Sequence, residues 1–406
     1  MVKIAILGFG TVGSGVYEVV AKNNRGISKR SGQEIRVKYI LDLRDFPGHP
    51  LEERFTKDYD KILSDDEVEI IVETMGGLNP AYEYTKRALL AGKHVVTSNK
   101  ELVATYGAEL LNIAKTQNVN YMFEASVGGG IPIIRPLHHC LAGNEINEIV
   151  GILNGTTNYI LTQMINEGVS FEDALSDAQA KGYAERNPDA DVLGFDACRK
   201  IAILASLACH KNVDYKLIET EGITEIKLKD VNYVAKFDSV IKLLGVFKIE
   251  EDGKVYVRVS PAIISNDHPL ANVTGVFNGI LVKGNAIGDV VFYGQGAGKL
   301  PTASAVVGDV IDITRNLNRN NDLTWDVVEE SFVGNYLDME NAYYVRLKTG
   351  QGFKAEISAL FGECEYIDSD EGELVFITPV QRDGDLIGKL NSLSCEVCAK
   401  IRLLEQ

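Results

Sequence analysis

Short apolar runs alternate with amphipathic segments along the first 130 residues. The runs 2–7, 35–41, 69–74, 94–97 and 119–123 are rich in β-branched residues and too short to be helices. After the first run, Val16, Val19 and Val20 recur at helical spacing. Strands that alternate with helices predict an α/β domain with a doubly wound parallel sheet, whose ligands lie at the carboxyl ends of the strands.

A glycine-rich turn directly follows the first predicted strand. Gly8, Gly10 and Gly13 form a G-x-G-x-x-G pattern that opens the helix. In this context Gly8 permits the tight turn, Gly10 lets a pyrophosphate approach the backbone, and Gly13 lets the helix pack on the sheet. The pattern predicts a dinucleotide-binding domain of the Rossmann type, with phosphates at the helix N-terminus.

The end of the second predicted strand bears on the choice of cofactor. Asp42 and Arg44 lie two residues apart after the run 35–41. An acid here binds the ribose 2′-hydroxyl of NAD, whereas an arginine accommodates the 2′-phosphate of NADP. The insertion 23–34 makes the usual spacing of the acid unreliable, so the residues leave the preference open.

Three further strand ends carry candidate site residues. Thr74 ends one run, and Lys100 follows another at a helix start, where it is either a site residue or a solvated lysine. The next strand leads into Glu124 and the glycines at 128–130. One acid beside accessible carbonyls suits a weakly bound monovalent cation, and a hinge between domains is the alternative.

The block 178–200 concentrates charge before an apolar helix. It contains four acids and four bases around Gly182, Pro188 and Gly194. Asp196 and Lys200 are spaced i, i+4, which places both side chains on one helix face. Such a cluster suits a small zwitterionic substrate, with carboxylates for its ammonium and a lysine for its oxygen. The alternative is a capped helix with a surface ion pair.

The rest of the chain reads as two α+β parts. At Asn154 the chain passes from the predicted strand 148–153 into a helix, and Ser170 is the predicted N-cap of a second helix. The glycine-rich turn 294–304 returns the chain to the nucleotide domain before an apolar helix over 305–313. Residues 342–406 predict a small unit of strands at 343–347, 374–378 and 399–404 with helices at 354–360 and 386–393.

Composition narrows the class of protein. With a net charge of -16 and no prominent basic run, the chain is not expected to bind nucleic acid. No apolar run approaches the length of a membrane span, and no basic-then-apolar leader precedes the first strand. Six cysteines are few for 406 residues and indicate reduced thiols in a cytoplasm. Cys395-x-x-Cys398 has no second pair nearby, so a zinc site is not expected.

These motifs together resemble the homoserine dehydrogenase family, of the monofunctional kind with three parts. The resemblance rests on the segments 8–13, 73–74, 98–100, 124–132, 154–159, 178–200 and 296–304. It implies an NAD(P)-dependent enzyme that interconverts L-homoserine and L-aspartate 4-semialdehyde, in threonine, methionine and isoleucine biosynthesis. It also implies a homodimer or a homotetramer.

The resemblance further implies domains and site residues. The Rossmann domain would span 1–132, completed by about 296–325, with a substrate-binding and oligomerisation domain at 133–295 and an ACT-like regulatory domain at 342–406. Lys200 would be the acid/base lysine, with Lys100 as a second lysine and Asp191 in support. The implied substrate contacts are Glu185, Asp196 and Gly182. The implied contacts with NADP, or alternatively NAD, are Gly8, Phe9, Gly10, Thr11, Val12, Gly13, Arg44, Thr74, Lys100, Gly182 and Gly296. A sodium ion would be held by Glu124 and the backbone of Val127, Gly129 and Ile131.

One departure and two alternatives remain. The family's ACT domains carry a D-x-P-G-V loop after their first strand, but residues 349–353 read T-G-Q-G-F, which leaves inhibition by threonine open. Cys140 beside His138 and His139 would suit a semialdehyde dehydrogenase that works through a thioester. A protein that only senses nucleotides or amino acids is the other alternative, although it has no need of a proton donor.

Overall fold

The computed structural model describes residues 1–250, 252–328, 332–349 and 351–404. The chain divides into two compact units. The first comprises Met1–Glu145, Ala202–Lys216 and Gly294–Glu329, and the second comprises Ile146–Ile201, Leu217–Tyr293 and Glu330–Gln406. Residue 350, in the altered loop at 349–353, lies outside the described residues.

The first unit alternates strands and helices. Its strands are β1 (Val2–Leu7), β2 (Ile35–Leu41), β3 (Phe55–Thr56), β4 (Val68–Glu73), β5 (His94–Thr97) and β6 (Tyr121–Met122). Its helices are α1 (Thr11–Lys22), α2 (Asn24–Ser31), α3 (Tyr59–Leu63), α4 (Ala81–Leu90) and α5 (Lys100–Thr116), followed by a π-helical turn, Pro136–Cys140.

The second unit begins with β7 (Ile146–Ile152) and is built mainly around a sheet. The elements that follow β7 are α6 (Gly155–Glu167), α7 (Phe171–Ala180), α8 (Asp189–Val192), α9 (Phe195–Cys209, whose second half belongs to the first unit), β8 (Glu219–Thr220), α10 (Leu228–Ala235), β9 (Ser239–Ile249), β10 (Val255–Ser265), β11 (Phe277–Gly284) and β12 (Gly288–Gln295). The chain then returns to the first unit with α11 (Lys299–Arg315). No helix of the described residues is long and apolar enough to cross a membrane.

The remaining elements complete the second unit. They are β13 (Glu340–Asn341), β14 (Tyr343–Lys348), α12 (Lys354–Phe361), β15 (Glu365–Ile367), β16 (Glu373–Ile377), β17 (Gln381–Arg382), α13 (Asp383–Asn391) and β18 (Glu396–Leu403).

The described strands of the first unit form a parallel sheet in the order β3-β2-β1-β4-β5-β6. This is the strand order of the dinucleotide-binding Rossmann fold. Ile4, Ile6, Val72 and Val96 are fully buried in its core, where Val306 of α11 packs with them. The doubly wound parallel sheet predicted from the apolar runs is confirmed. Helix α11, which follows the second unit's strands in the sequence, completes the first unit.

Three local predictions need correction. The insertion 23–34 contains a helix, α2, whose single buried apolar side chain, Ile27, gives too weak a periodic signal to detect. The helix predicted at 305–313 starts six residues earlier at Lys299, because Pro301 is tolerated in a first helical turn. In the sequence, Asn79-Pro80 has the residue types of an N-cap followed by a first helical residue, but Pro80 is itself the N-cap of α4.

One continuous sheet runs through the second unit. The described strands follow the order β12-β11-β7-β9-β10-β18-β14-β16-β15, with β8 paired to β10. The C-terminal segment has the order β14-α12-β15-β16-α13-β18, a βαββαβ arrangement in which β15 was not predicted. Its strand β18 pairs in parallel with β10, so the C-terminal strands extend the sheet of the preceding segment.

A buried charge cluster lies where the C-terminal segment joins β10. The Arg402 guanidinium donates from Nε to Asp383 (3.1 Å) and from Nη2 to Glu219 (3.5 Å). Arg258, also buried, lies 3.6 Å from Asp383 and donates to Asn341. Burial of Glu219 outweighs its attraction to Arg402 and raises the pKa of Glu219 to about 7.

We expect Glu219 to lower the free energy of unfolding as the pH rises from 4.5 to 7. Its pKa is above its ordinary value of 4.5 only in the folded chain, so the folded state binds the proton more tightly across that window. Glu219→Gln should therefore be more stable than wild type at pH 8, by about 1–3 kcal/mol, and equal to it near pH 4.5. Urea unfolding at pH 4.5 and pH 8 measures this, with exposed Glu225→Gln as the matched control. Equal pH dependence in wild type and Glu219→Gln would contradict the assignment.

Candidate active site

The glycine-rich turn between β1 and α1 has room for an anion. Gly8 has φ +91° and donates from its N–H to the Leu41 carbonyl at 2.8 Å. A Cβ on Gly13 would lie 1.9 Å from the Gly8 oxygen, whereas a Cβ on Gly10 would meet no atom within 4 Å. No side chain of the described residues caps α1 at Thr11. The first-turn amides therefore have the open space and hydrogen-bonding capacity that a pyrophosphate needs.

Thr74 and Glu73 order the adjacent strand end. The Thr74 hydroxyl lies 3.0 Å from the carbonyl oxygens of Leu7 and Gly8, which ties β4 to the glycine turn. The Glu73 carboxylate accepts from the Met75 N–H (2.7 Å) and the Thr97 hydroxyl (2.5 Å). Burial raises the pKa of Glu73 despite these hydrogen bonds.

Lys100 is the first residue of α5, as predicted, and is half-buried. Asn99 caps this helix by accepting from the Leu102 N–H at 3.1 Å, and it donates to the Gly77 carbonyl at 2.6 Å. Its own N–H donates to the Thr97 hydroxyl, which is bonded to Glu73. The backbone that carries Lys100 is therefore fixed at the carboxyl ends of the neighbouring strands β4 and β5.

Asp42 and Arg44, which the sequence left as alternatives, form one ion pair. Arg44 donates to both Asp42 oxygens, from Nε at 3.0 Å and from Nη2 at 2.8 Å. Asp42 also accepts from the Phe9 N–H at 2.8 Å, and Arg44 donates to the Phe9 carbonyl. The Arg44 guanidinium holds the pKa of Asp42 well below its usual range. Asp42 is 10% exposed and Arg44 is 61% exposed, so the cation is the accessible member of the pair.

The carboxylate of Glu124 is already occupied by N–H donors. One oxygen accepts from the amides of Ile133 (2.6 Å) and Ile134 (2.8 Å), and the other accepts from the amide and Nε of Arg135 (2.9 and 3.1 Å). The expected role of Glu124 as a cation ligand stays a prediction, with its carboxylate already engaged by these N–H groups. In the described residues no side chain or loop amide donates to the carbonyls of Glu124, Val127, Gly129 or Ile131.

Sequence reasoning missed Asp309, which supports the same loop from α11. Its carboxylate accepts from the Glu124 N–H at 2.8 Å and lies 3.6 Å from Nε of Arg135. Burial and the nearby Glu124 charge raise the pKa of Asp309 well above its ordinary value. Gly296 also meets this loop, because a Cβ on Gly129 would lie 2.2 Å from the Gly296 oxygen. The signal in the sequence was an acidic residue within an otherwise apolar helix, although it lies 185 residues from Glu124.

In the second unit, Lys200 and Asp196 form a buried ion pair. Lys200 Nζ lies 2.8 Å from Asp196 Oδ2, and their side chains are 10% and 3% exposed. Lys200 also donates to the Leu153 carbonyl at 2.7 Å. The i, i+4 spacing is therefore confirmed, but the pair is buried and is not a surface ion pair. A buried charge pair of this kind depends on further hydrogen bonds to offset its desolvation.

Asn154 provides those hydrogen bonds, and sequence reasoning gave it no such role. Its Nδ2 donates to Asp191 Oδ1 at 2.7 Å and to Asp196 Oδ2 at 2.9 Å. Its Oδ1 accepts from the Thr157 N–H at 2.8 Å and so caps α6. One amide thus brings together two of the predicted carboxylates. The signal was an asparagine at the start of a helix, which alone predicts only a cap.

The two other predicted residues of the block lie at the surface. Gly182 has φ +74° with open space around it, and Glu185 is exposed. The backbone nearby is held by Thr156, whose hydroxyl donates to the Tyr183 carbonyl at 2.7 Å, and by Gln179, which donates to the Glu185 carbonyl at 3.0 Å. The structure thus brings Asp191, Asp196 and Lys200 together around Asn154 and leaves Gly182 and Glu185 on an accessible segment.

A parallel sheet with an open glycine turn in one unit, and a buried lysine with paired carboxylates in the other, are features expected of a nicotinamide-dependent oxidoreductase. The family model described as "Homoserine dehydrogenase, NAD binding domain" matches residues 8–124, and the model described as "Homoserine dehydrogenase" matches residues 132–311. The chain belongs to the homoserine dehydrogenase family. It is thus an NAD(P)-dependent enzyme that interconverts L-homoserine and L-aspartate 4-semialdehyde.

Individual relatives agree with the family models. A homoserine dehydrogenase of Synechocystis sp. is 46% identical over 77% of this chain and 73% of its own length. The structure of a homoserine dehydrogenase from Thiobacillus denitrificans has a TM-score of 0.91 at 35% identity, covering 100% of this chain and 98% of that chain. A hyperthermophilic archaeal homoserine dehydrogenase in complex with NADPH has a TM-score of 0.65 at 31% identity, covering 78% and 98%. The matches favour neither the thioester enzyme based on Cys140 nor the sensor.

The bridging role of Asn154 is testable with a substitution that keeps the helix cap. Asn154→Asp retains a capping oxygen but replaces the donor with a third carboxylate facing Asp191 and Asp196. We expect kcat/KM for homoserine to fall by about 10–100-fold, the worth of a hydrogen bond to a charged group, with the KM for the dinucleotide unchanged.

Ser170→Ala is the matched control, because Ser170 caps α7 without contacting the cluster. It should cost about 1 kcal/mol of stability and leave kcat/KM unchanged. An Asn154→Asp enzyme with wild-type kcat/KM would show that the amide does not organise the carboxylates.

Proposed function

We propose that Lys200 is the acid/base residue of the reaction. The observation that carries this assignment is the buried Nζ of Lys200, which lies 2.8 Å from Asp196 and 2.7 Å from the Leu153 carbonyl. In oxidation a hydride leaves the alcohol carbon of homoserine, and the hydroxyl proton passes to neutral Lys200. In reduction the Lys200 ammonium returns a proton to the aldehyde oxygen. The nicotinamide, when bound, supplies the hydride chemistry.

The carboxylates then bind the amino-acid part of the substrate. Asp196 and Glu185 would contact the homoserine ammonium, and Asp191 would support them through the Asn154 amide. Gly182, whose surroundings are open, would let the substrate approach the backbone. Lys100 would be a second lysine of the site and a cofactor contact. Because Asp196 is bonded to both Asn154 and Lys200, one carboxylate links substrate binding to proton transfer.

The Lys200 assignment predicts a large loss of turnover on Lys200→Ala. A general acid/base contributes about 10²–10⁴-fold, so kcat should fall by that factor while NADP affinity stays nearly constant. The matched control is Lys181→Ala, since Lys181 forms an i, i+4 pair with Asp177 that is 50% and 40% exposed. Kinetics with added ethylamine separate chemistry from misfolding, because a free amine should restore part of kcat. Near-wild-type turnover in Lys200→Ala would rule out the role.

For the cofactor we propose NADP, with NAD as the weaker alternative. Both Asp42 oxygens are engaged by Arg44 and the Phe9 amide, whereas the Arg44 guanidinium is exposed. A carboxylate occupied in this way suits a ribose 2′-hydroxyl poorly, and an oriented guanidinium suits a 2′-phosphate. The remaining contacts would come from the turn 8–13, Thr74, Gly182 and Gly296. The NADPH complex of the archaeal relative supports a nicotinamide cofactor.

Arg44→Ala should therefore discriminate between the two cofactors. Loss of a charge-assisted contact with the 2′-phosphate is expected to raise the KM for NADP by about 10–100-fold, while the KM for NAD stays constant or falls as Asp42 is released. Arg36→Ala removes an equally exposed arginine from β2, paired with Glu34, and controls for the change of charge. Equal losses with both cofactors would contradict the assignment.

We also propose that the 124–131 loop binds a sodium ion through main-chain oxygens. The carbonyls of Glu124, Val127, Gly129 and Ile131 would be the ligands, because the Glu124 carboxylate is occupied by four N–H donors. Oxygen donors of this type suit a hard cation. Held there, the ion would fix the loop against Gly296. Activity assays in sodium and in tetramethylammonium salts test the need for the ion, and equal activity in both would refute the proposal.

The finer organisation of the protein completes the proposal. The functional domains would be residues 1–132 with about 296–325, residues 133–295, and an ACT-like regulatory unit at 342–406, which its βαββαβ order supports.

A homodimer or homotetramer is favoured by edge strand β12, where Val291 is 40% and Tyr293 57% exposed. A cytoplasmic location fits the six free cysteines. Sedimentation equilibrium decides the assembly, and a monomer would refute it.

A further inference from the structure

A basic cleft lies in the first unit, along α2 and α11. Its volume is about 700 Å³, and its lining includes Lys22, Arg25, Arg30 and Arg135. No aspartate or glutamate is among the described residues that line it. The whole chain carries a net charge of -16, so four cations around one cavity without a carboxylate depart sharply from the average surface. This local excess of positive charge favours an anionic ligand.

Three of the four cations form the rim of the cleft. Lys22, Arg25 and Arg30 are exposed, and none forms an ion pair within the part of the chain that the structure describes. Several other lysines and arginines of this unit do pair with carboxylates, as Lys299 does with Glu18. Arg315 donates from Nε to the Arg30 carbonyl at 2.8 Å, which adds a further cation beside the cleft.

The floor of the cleft holds a fixed guanidinium. The Arg135 side chain is 29% exposed, and its Nε points at Glu124 (3.1 Å) and Asp309 (3.6 Å). Its Nη2 lies beside Gly308, where a Cβ would come within 2.6 Å of it. Gly308 also lines the cleft, so the outer nitrogens of Arg135 reach the cavity past a residue without a side chain. Arg135 is thus already paired with two buried carboxylates, and its outer nitrogens are held in a fixed orientation at the cavity.

The first turn of α2 forms one wall of the cleft. Asn23, Arg25 and Gly26 line the cavity, and Asn23 is the N-cap but makes no side-chain capping hydrogen bond. A Cβ on Gly26 would meet no atom within 4 Å, so there is open space at this turn. The unsatisfied first-turn amides thus add hydrogen-bond donors to the charges of the four cations.

We propose that this cleft is a second anion site, separate from the dinucleotide turn, for a small molecule with two linked phosphate groups. The cleft is far larger than a single phosphate needs and lies in the size range of small-molecule sites. Its cations occupy the rim on two helices and the floor, so a ligand with one charge would engage only part of them. Two linked phosphates would engage the exposed cations of both helices, and arginine guanidiniums bind phosphate oxygens in pairs.

The test is calorimetric titration of the NADP-saturated enzyme with inorganic pyrophosphate, with orthophosphate as a parallel arm. Saturation with NADP fills the dinucleotide turn, so that binding there is not mistaken for binding in the cleft. We expect one pyrophosphate per chain and at least tenfold weaker binding of orthophosphate. Failure of the cofactor proposals would appear in the NADP titration itself and is distinguishable from failure here.

Substitutions at Gly26 locate the binding without disturbing the fold. Gly26→Asp places a carboxylate in the open space of the cleft, at the third helical position where an acid is compatible with a helix start. We expect it to weaken pyrophosphate binding at least tenfold, while Gly26→Ala binds as wild type. Lys29→Ala removes a cation from the same helix outside the lining and should also bind as wild type. Thermal unfolding should show both Gly26 variants folded.

Two results would overturn the proposal. One is the absence of pyrophosphate binding to the NADP-saturated wild type at millimolar concentration. The other is equal weakening by Gly26→Asp and Lys29→Ala, which would indicate diffuse attraction to surface charge and no built site.

Discussion

The arrangement of the second unit depends on one buried ion pair, between Lys200 and Asp196. Charges removed from water are costly unless each is paired and its remaining hydrogen-bonding capacity is used. The Leu153 carbonyl and the Asn154 amide serve that purpose, at 2.7 Å from Lys200 and 2.9 Å from Asp196. The end of β7, the start of α6 and the face of α9 are therefore held together by the same groups that the proposed chemistry uses.

Asn154 shows how one side chain serves both fold and site. As N-cap it satisfies an amide of α6, and with its other end it keeps Asp191 and Asp196 close together. Two carboxylates repel each other at short range, and a shared donor reduces that repulsion. Glu124 plays a comparable part in the first unit, where its carboxylate gathers the amides at 133–135 while its backbone belongs to the loop at 124–131.

The sequence predicted those features that depend on local spacing. The strand–turn–helix of β1, Gly8–Gly13 and α1 and the i, i+4 pair of Asp196 and Lys200 follow from periodicity and glycine placement, and the structure contains both. Contacts between distant residues were not accessible in this way. Asn154 meets Asp196 across 42 residues, and Asp309 meets Glu124 across 185, so nothing in either segment alone indicates the partner. Helix α2 was missed because Ile27 is its single apolar side chain, and one residue does not mark a helix face.

The central claim is that the Lys200 ammonium faces the oxygen of homoserine that gains or loses a proton. A crystal structure of the enzyme with L-homoserine and NADPH tests it most directly, because an alcohol and a reduced cofactor cannot react with each other. We expect the homoserine hydroxyl within hydrogen-bond distance of Lys200 Nζ, with the substrate ammonium at the carboxylates. Homoserine bound with its hydroxyl away from Lys200, and another side chain in contact with that oxygen, would contradict it.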